Sequence, residues 1–172
     1  MSARILIVED SPTMRMLIRS ALEEGGYRVA ESEDALQALA VVQEVAPDLV
    51  IADVNMPELD GISLVRRMRT FPAFRSVPIL ILTTESSDEA KQRGRAAGAT
   101  GWITKHFDPA QLRDVVGDVL RVQATQRART SGGCSSWKPP TSFVTSSKAF
   151  YGSNTSPPTV RRSTAYSGAR TR

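Results

Sequence analysis

Short apolar runs alternate with stretches of helical spacing along residues 4–122. The runs predict strands at 4–8, 28–31, 49–52, 78–82 and 100–103. The intervening stretches predict helices at roughly 12–24, 34–45, 62–69, 87–97 and 109–121. In the first helix, Met14, Leu17, Ile18, Ala21 and Leu22 recur at spacings of three and four, which predicts one apolar face. Ser11 suits its N-cap, Pro12 its first turn, and Gly25 or Gly26 a left-handed end. Ser86 with Glu89 has capping-box spacing for the fourth helix. Asp108-Pro109 repeats the cap-then-proline start for the fifth, whose expected inner face is Leu112, Val115, Val116, Val119 and Leu120.

Five strand–helix units imply an α/β fold: a five-stranded parallel sheet with helices on both faces. The third and fourth strands are almost wholly apolar, as expected of central strands covered on both sides. About 120 residues are enough for one core. Five polar positions then stand out. Glu9 and Asp10, Asp53, Thr83 and Lys105 each lie at or just past the end of a predicted strand. Parallel strands would gather all five at one sheet edge, where open α/β sheets bind ligands.

Charge divides the chain. The formal net charge is +4, but every acidic residue lies at or before Asp118. Residues 1–123 carry 14 basic and 18 acidic groups, whereas 124–172 carry eight basic groups and no acid. The latter stretch has no Leu, Ile or Met, but ten Ser, eight Thr and paired prolines at 139–140 and 157–158. It offers too little apolar surface to offset the entropy of ordering. The expected organisation is therefore a folded unit at 1–123 and a disordered basic tail at 124–172. Cys134 stands alone, so no intramolecular disulfide can form. No apolar run approaches the ~20 residues of a membrane helix, and the N-terminus lacks the pattern of a signal peptide. A soluble, cytoplasmic protein without a membrane span is expected.

The strand-end residues suggest a divalent cation and a phosphoryl group. Mg²⁺ takes oxygen ligands in near-octahedral geometry. Asp10 and Asp53 each offer a carboxylate oxygen, Glu9 another directly or through water, and the main-chain carbonyl of Asn55 a further one. The cation would relieve carboxylate repulsion and leave Asp53 ionised and nucleophilic. Attack on a phosphoryl donor would give an acyl phosphate. Its oxygens would be met by Mg²⁺, by Lys105, and by Thr83 with the N–H of Thr84. Singly, each residue is ordinary: a cap, a turn, a surface lysine. Their joint occurrence at four strand ends is specific.

Four segments carry a family resemblance: Ile5-Leu6-Ile7-Val8-Glu9-Asp10-Ser11, Ala52-Asp53-Val54-Asn55-Met56-Pro57-Glu58-Leu59-Asp60-Gly61, Leu82-Thr83-Thr84 and Gly98-Ala99-Thr100-Gly101-Trp102-Ile103-Thr104-Lys105. In order and spacing, over about residues 3–122, they resemble the receiver domain of two-component response regulators, most of all stand-alone chemotaxis-type regulators. The resemblance implies a flavodoxin-like, doubly wound (βα)5 fold. It implies that Asp53 accepts phosphate from a histidine kinase, that Glu9 and Asp10 hold Mg²⁺, and that Thr83 and Lys105 read the phosphate. Trp102 matches the family's switch aromatic, and Asn55 and Glu85 match the pair that flanks the phosphoryl group. The output face implied for a downstream protein target is the fourth helix, fifth strand and fifth helix, around Lys91, Arg95, Trp102 and Gln111. The chemistry implied is self-phosphorylation and slow self-hydrolysis by a monomer, not multi-turnover catalysis.

One position departs from the family pattern. His106 follows Lys105 where proline is usual, with a cis peptide before it. A cis bond before a non-proline residue costs ~2.5–4 kcal/mol. The bond is therefore either cis under strain or trans, with Lys105 approaching differently. Weaker coupling between phosphorylation and the switch is expected, and His106→Pro should strengthen it. The tail has no recognisable output domain. Its basic and aromatic residues could contact nucleic acid or an anionic membrane, without sequence specificity. Alternatively, it has no dedicated partner, or derives from a shifted reading frame or an extension added in cloning. A Mg²⁺-dependent aspartyl-phosphate phosphatase is a rival reading, but the acid/base position two residues past Asp53 holds Asn55.

Overall fold

A computed structural model describes residues 2–85, 87–130 and 144–145. The five predicted strands form as β1 (Arg4–Val8), β2 (Arg28–Ser32), β3 (Leu49–Asp53), β4 (Ile79–Thr83) and β5 (Gly101–Thr104). A two-residue strand, β6 (Val144–Thr145), joins them beyond β5. The order across the sheet is β2-β1-β3-β4-β5-β6, and every pairing is parallel. The helices are α1 (Pro12–Glu24), α2 (Ala35–Val45), α3 (Gly61–Thr70), α4 (Asp88–Ala97) and α5 (Pro109–Thr130), with a 3-10 turn at Pro72–Phe74.

Alternation along the strands sends successive side chains to opposite faces. Ile5, Ile7, Ile51, Leu80, Leu82 and Ile103 pack against α1 and α5. Leu6, Val8, Val50, Ala52, Ile79 and Ile81 pack against α2, α3 and α4. β3 and β4 are buried at all five positions, as their apolar sequences predict. Strand ends are aligned because Val8 pairs with Ala52, Asp53 with Leu82, and Thr83 with Thr104.

Several expectations change in detail. Ser11 does cap α1, accepting from the Met14 N–H, and Gly26 rather than Gly25 takes a positive φ of 79°. The cap of α4 is Ser87, whose hydroxyl accepts from the Ala90 N–H; Ser86 lies outside the described residues. Leu17 does not join the buried face of α1 but stays 43% exposed beside Met16 at 66%. The contact with sheet and α5 is narrower than the apolar stripe, burying Ile18, Ala21 and Leu22 with Met14 packed at its edge. Helix α5 continues to Thr130, beyond the predicted end at 121 and the expected boundary at 123. Its extension, Ala124 to Thr130, contains no Gly or Pro to stop it. Beyond Thr130 only Val144–Thr145 is described, so the expectation of a disordered tail falls almost wholly outside the described residues. Among the described residues, no helix is long and apolar enough to cross a membrane.

Candidate functional site

The site forms where the strands stop. β1 ends at Val8 and delivers Glu9 and Asp10 into the turn before α1. β3 ends in Asp53 itself, β4 in Thr83, and β5 one residue before Lys105. Glu9, Asp53 and Thr83 are buried, whereas Asp10 is exposed at the rim. Glu9, Asp10 and Asp53 each present a carboxylate oxygen, and these oxygens lie within 4.8 Å of one another.

Lys105 supplies the internal countercharge. Its Nζ donates to Asp53 Oδ2 at 2.8 Å and to Glu9 Oε1 at 3.2 Å. The second Asp53 oxygen, Oδ1, accepts from the Asn55 N–H at 3.2 Å. Glu9 Oε1 also accepts from the Ser11 N–H at 3.3 Å, but Glu9 Oε2 is buried with no hydrogen-bond partner. Burial, then repulsion from Asp53, raises the Glu9 pKa above its ordinary value, although Lys105 opposes both. For Lys105, burial works against the charged form. The hydrogen bond and charge of Asp53, followed by those of Glu9, outweigh it and raise the pKa.

No peptide bond among the described residues is cis, so Lys105–His106 is trans. The lysine nonetheless reaches both carboxylates. Its main-chain N–H donates to the Thr83 carbonyl at 2.8 Å, which extends the β4–β5 ladder by one step and aims the residue at the site. His106 is exposed.

Thr83 Oγ1 accepts from the Glu85 N–H at 3.0 Å, and the Glu85 carbonyl accepts from Trp102 Nε1 at 3.2 Å. One residue therefore links the strand-end hydroxyl to the indole. Trp102 is buried, its ring against Gly94 of α4. Lys91 and Arg95 lie on α4 and are not part of the acidic cluster; Lys91 pairs with Asp88 at 3.7 Å. α4 and α5 flank β5 on opposite faces of the sheet, and Gln111 is exposed on α5. Gly61 has a role the sequence reading missed: a Cβ there would overlap the Asp53 carbonyl oxygen. Its place eight residues after Asp53, at the end of a segment that carries the family resemblance and at the start of α3, is the signal the sequence gives.

An acidic, partly buried recess with one unpartnered carboxylate oxygen fits a hard cation with oxygen ligands. Residues 5–117 match the response regulator receiver domain family. The chain belongs to that family. This receiver domain is 40% identical over 102 residues to a gliding motility regulatory protein of Myxococcus xanthus, a match covering 59% of this chain and 13% of that protein. It is 38% identical over 129 residues to the phosphate regulon transcriptional regulatory protein PhoB of Pseudomonas aeruginosa, covering 75% of this chain and 53% of the relative. The chain thus spans about half, or much less, of these curated relatives. Among solved structures, the chemotaxis response regulator CheY4 of Vibrio cholerae superposes with a TM-score of 0.67 at 40% identity. That match covers 69% of this chain and 99% of CheY4.

Proposed function

We propose that this receiver domain is the phosphorylation-activated switch of a two-component phosphorelay, of the chemotaxis type. Asp53 accepts a phosphoryl group from a histidine kinase, and the modified domain engages a protein target through α4, β5 and α5. The observation that carries this reading is the buried Asp53 carboxylate, held by Lys105 at 2.8 Å beside two further acids. In the transfer, an Asp53 oxygen forms a bond to phosphorus, and the bond from phosphorus to the donor histidine nitrogen breaks. Lys105 Nζ neutralises charge on the incoming group, and the Thr83 hydroxyl leaves the Glu85 N–H to meet it. Glu9, Asp10 and Asp53 would hold Mg²⁺, with the Asn55 carbonyl as a further ligand; the ion would supply positive charge to offset that of the transferred group. Lys91, Arg95 and Trp102 would belong to the target-binding face. The setting is the cytoplasm, where kinase and target meet the domain.

The test is intact mass after incubation with acetyl phosphate, with and without Mg²⁺. One phosphoryl group should be gained only with Mg²⁺, and Asp53→Asn should abolish the gain. A gain that persists in Asp53→Asn would remove Asp53 from its role.

A further inference from the structure

Arg15 is placed against the helix dipole. It lies near the N-terminus of α1, where cations are disfavoured, and the first turn holds no acid to offset it. Its guanidinium nevertheless folds back over the helix start, and its side chain is only 14% exposed. Nη1 donates to the main-chain carbonyl of Glu9 at 2.7 Å. Nη2 lies 3.5 Å from Glu33 Oε1, and Nε lies 3.9 Å from Glu31 Oε1.

The carbonyl it holds is a particular one. Glu9 follows the last residue of β1. Its N–H still reaches β2, donating to the Ser32 carbonyl at 3.2 Å. Arg15 thus fixes the far side of the residue whose near side the sheet fixes. The Glu9–Asp10 peptide plane sets where the exposed Asp10 carboxylate stands relative to the buried Glu9 and Asp53 carboxylates.

We propose that Arg15 is a positioning residue for the acidic cluster: by clamping the Glu9 carbonyl, it presets Asp10 for the cation. Glu31 and Glu33 hold the guanidinium in place and offset its charge. The inference rests on the cation reading given above, and its two possible effects have opposite signs. As a mere nearby positive charge, Arg15 would repel Mg²⁺, and its removal would tighten binding. As a clamp, its removal loosens Asp10 and weakens binding, and outer partners of metal ligands typically contribute 10–100-fold.

The experiment is calorimetric titration of the full chain with MgCl2, alongside hydrogen exchange of the Asp10 and Ser11 amides in the metal-free protein. Arg15→Met keeps the aliphatic stem and should weaken Mg²⁺ binding roughly tenfold, with faster exchange at both amides. Arg15→Lys, able to donate to the same carbonyl, should recover part of the affinity. Arg19→Met, which removes another partner of Glu31 without touching Glu9, should leave the affinity unchanged. Unchanged or tighter binding by Arg15→Met overturns the inference alone. No Mg²⁺ uptake by the wild-type chain overturns the cation reading and this inference with it.

Discussion

Gly94→Ala probes the packing between α4 and the indole beneath it. A Cβ at Gly94 would stand 2.6 Å from Trp102 Cζ3, 3.1 Å from Cε3 and 3.3 Å from Ile81 Cδ1. Carbon atoms prefer separations of about 3.5–4.0 Å, so the ring must retreat by about 1 Å. It has little room, because Trp102 is packed within the cluster formed by α2, α3, α4 and their face of the sheet. Overpacking of this kind costs ~1–3 kcal/mol. Alanine regains ~1 kcal/mol over glycine in a helix interior. The balance is a loss of about 0–2 kcal/mol, together with a longer or broken bond from Trp102 Nε1 to the Glu85 carbonyl. Urea unfolding and tryptophan emission report both, in a Trp137→Phe background so that Trp102 alone emits. Emission should shift to the red in the folded state, and the unfolding midpoint should hold or fall. A variant stabilised by ~1 kcal/mol with unchanged emission would show propensity alone at work, and no close approach.

Two further outcomes follow from buried charge. Arg69→Met removes the donor to the carbonyls of Gly98, Phe74 and Val77, whose bonds to the guanidinium span 2.6–3.0 Å. Burial lowers the Arg69 pKa to about 10, so substitution also relieves a desolvation cost. Urea melts should show a net loss of roughly 2–4 kcal/mol; a loss under ~1 kcal/mol would mean these carbonyls find other partners. In the absence of Mg²⁺, the raised Glu9 pKa keeps its proton bound in the folded chain where the unfolded chain has released it. Stability should therefore fall as pH rises from the ordinary value of 4.5 through the folded-state value, and Glu9→Gln should remove that part of the slope. Parallel stability–pH curves for the two proteins would refute this.

How much the sequence revealed depended on the range of each signal. β3 and β4 were readable because central strands need apolar side chains on both faces, and Leu49 to Ala52 and Ile79 to Leu82 provide them. The acidic cluster was readable because parallel strands bring residues at their ends together. Long side chains that fold back on the main chain left no such mark. Arg69 reads as a solvated cation in the last turn of α3, yet it spans to Gly98, far along the chain. Arg15 reads as one of the polar positions of α1, and its bond to Glu9 depends on a rotamer. Leu17 fits the apolar period, but only neighbours from α5 and the sheet determine how wide a stripe is covered. The Lys105–His106 bond was undecided in sequence, because trans geometry is cheaper but leaves the reach of the lysine open.

The fork of Arg69 gives α4 a fulcrum. Two of its nitrogens hold the Gly98 carbonyl, at the C-terminal end of a ten-residue helix about 15 Å long. The opposite end adjoins Glu85, the residue that Thr83 and Trp102 both grip. If the threonine turns away, the Glu85 N–H is released, and the near tip of a lever anchored at its heel loses that tie. A tilt of about 10° would sweep that tip by about 2.6 Å while Gly98 stays put. Amide shift changes on phosphorylation should accordingly fade from Ser87 towards Gly98, and a uniform change along the helix would mean that it slides rather than pivots.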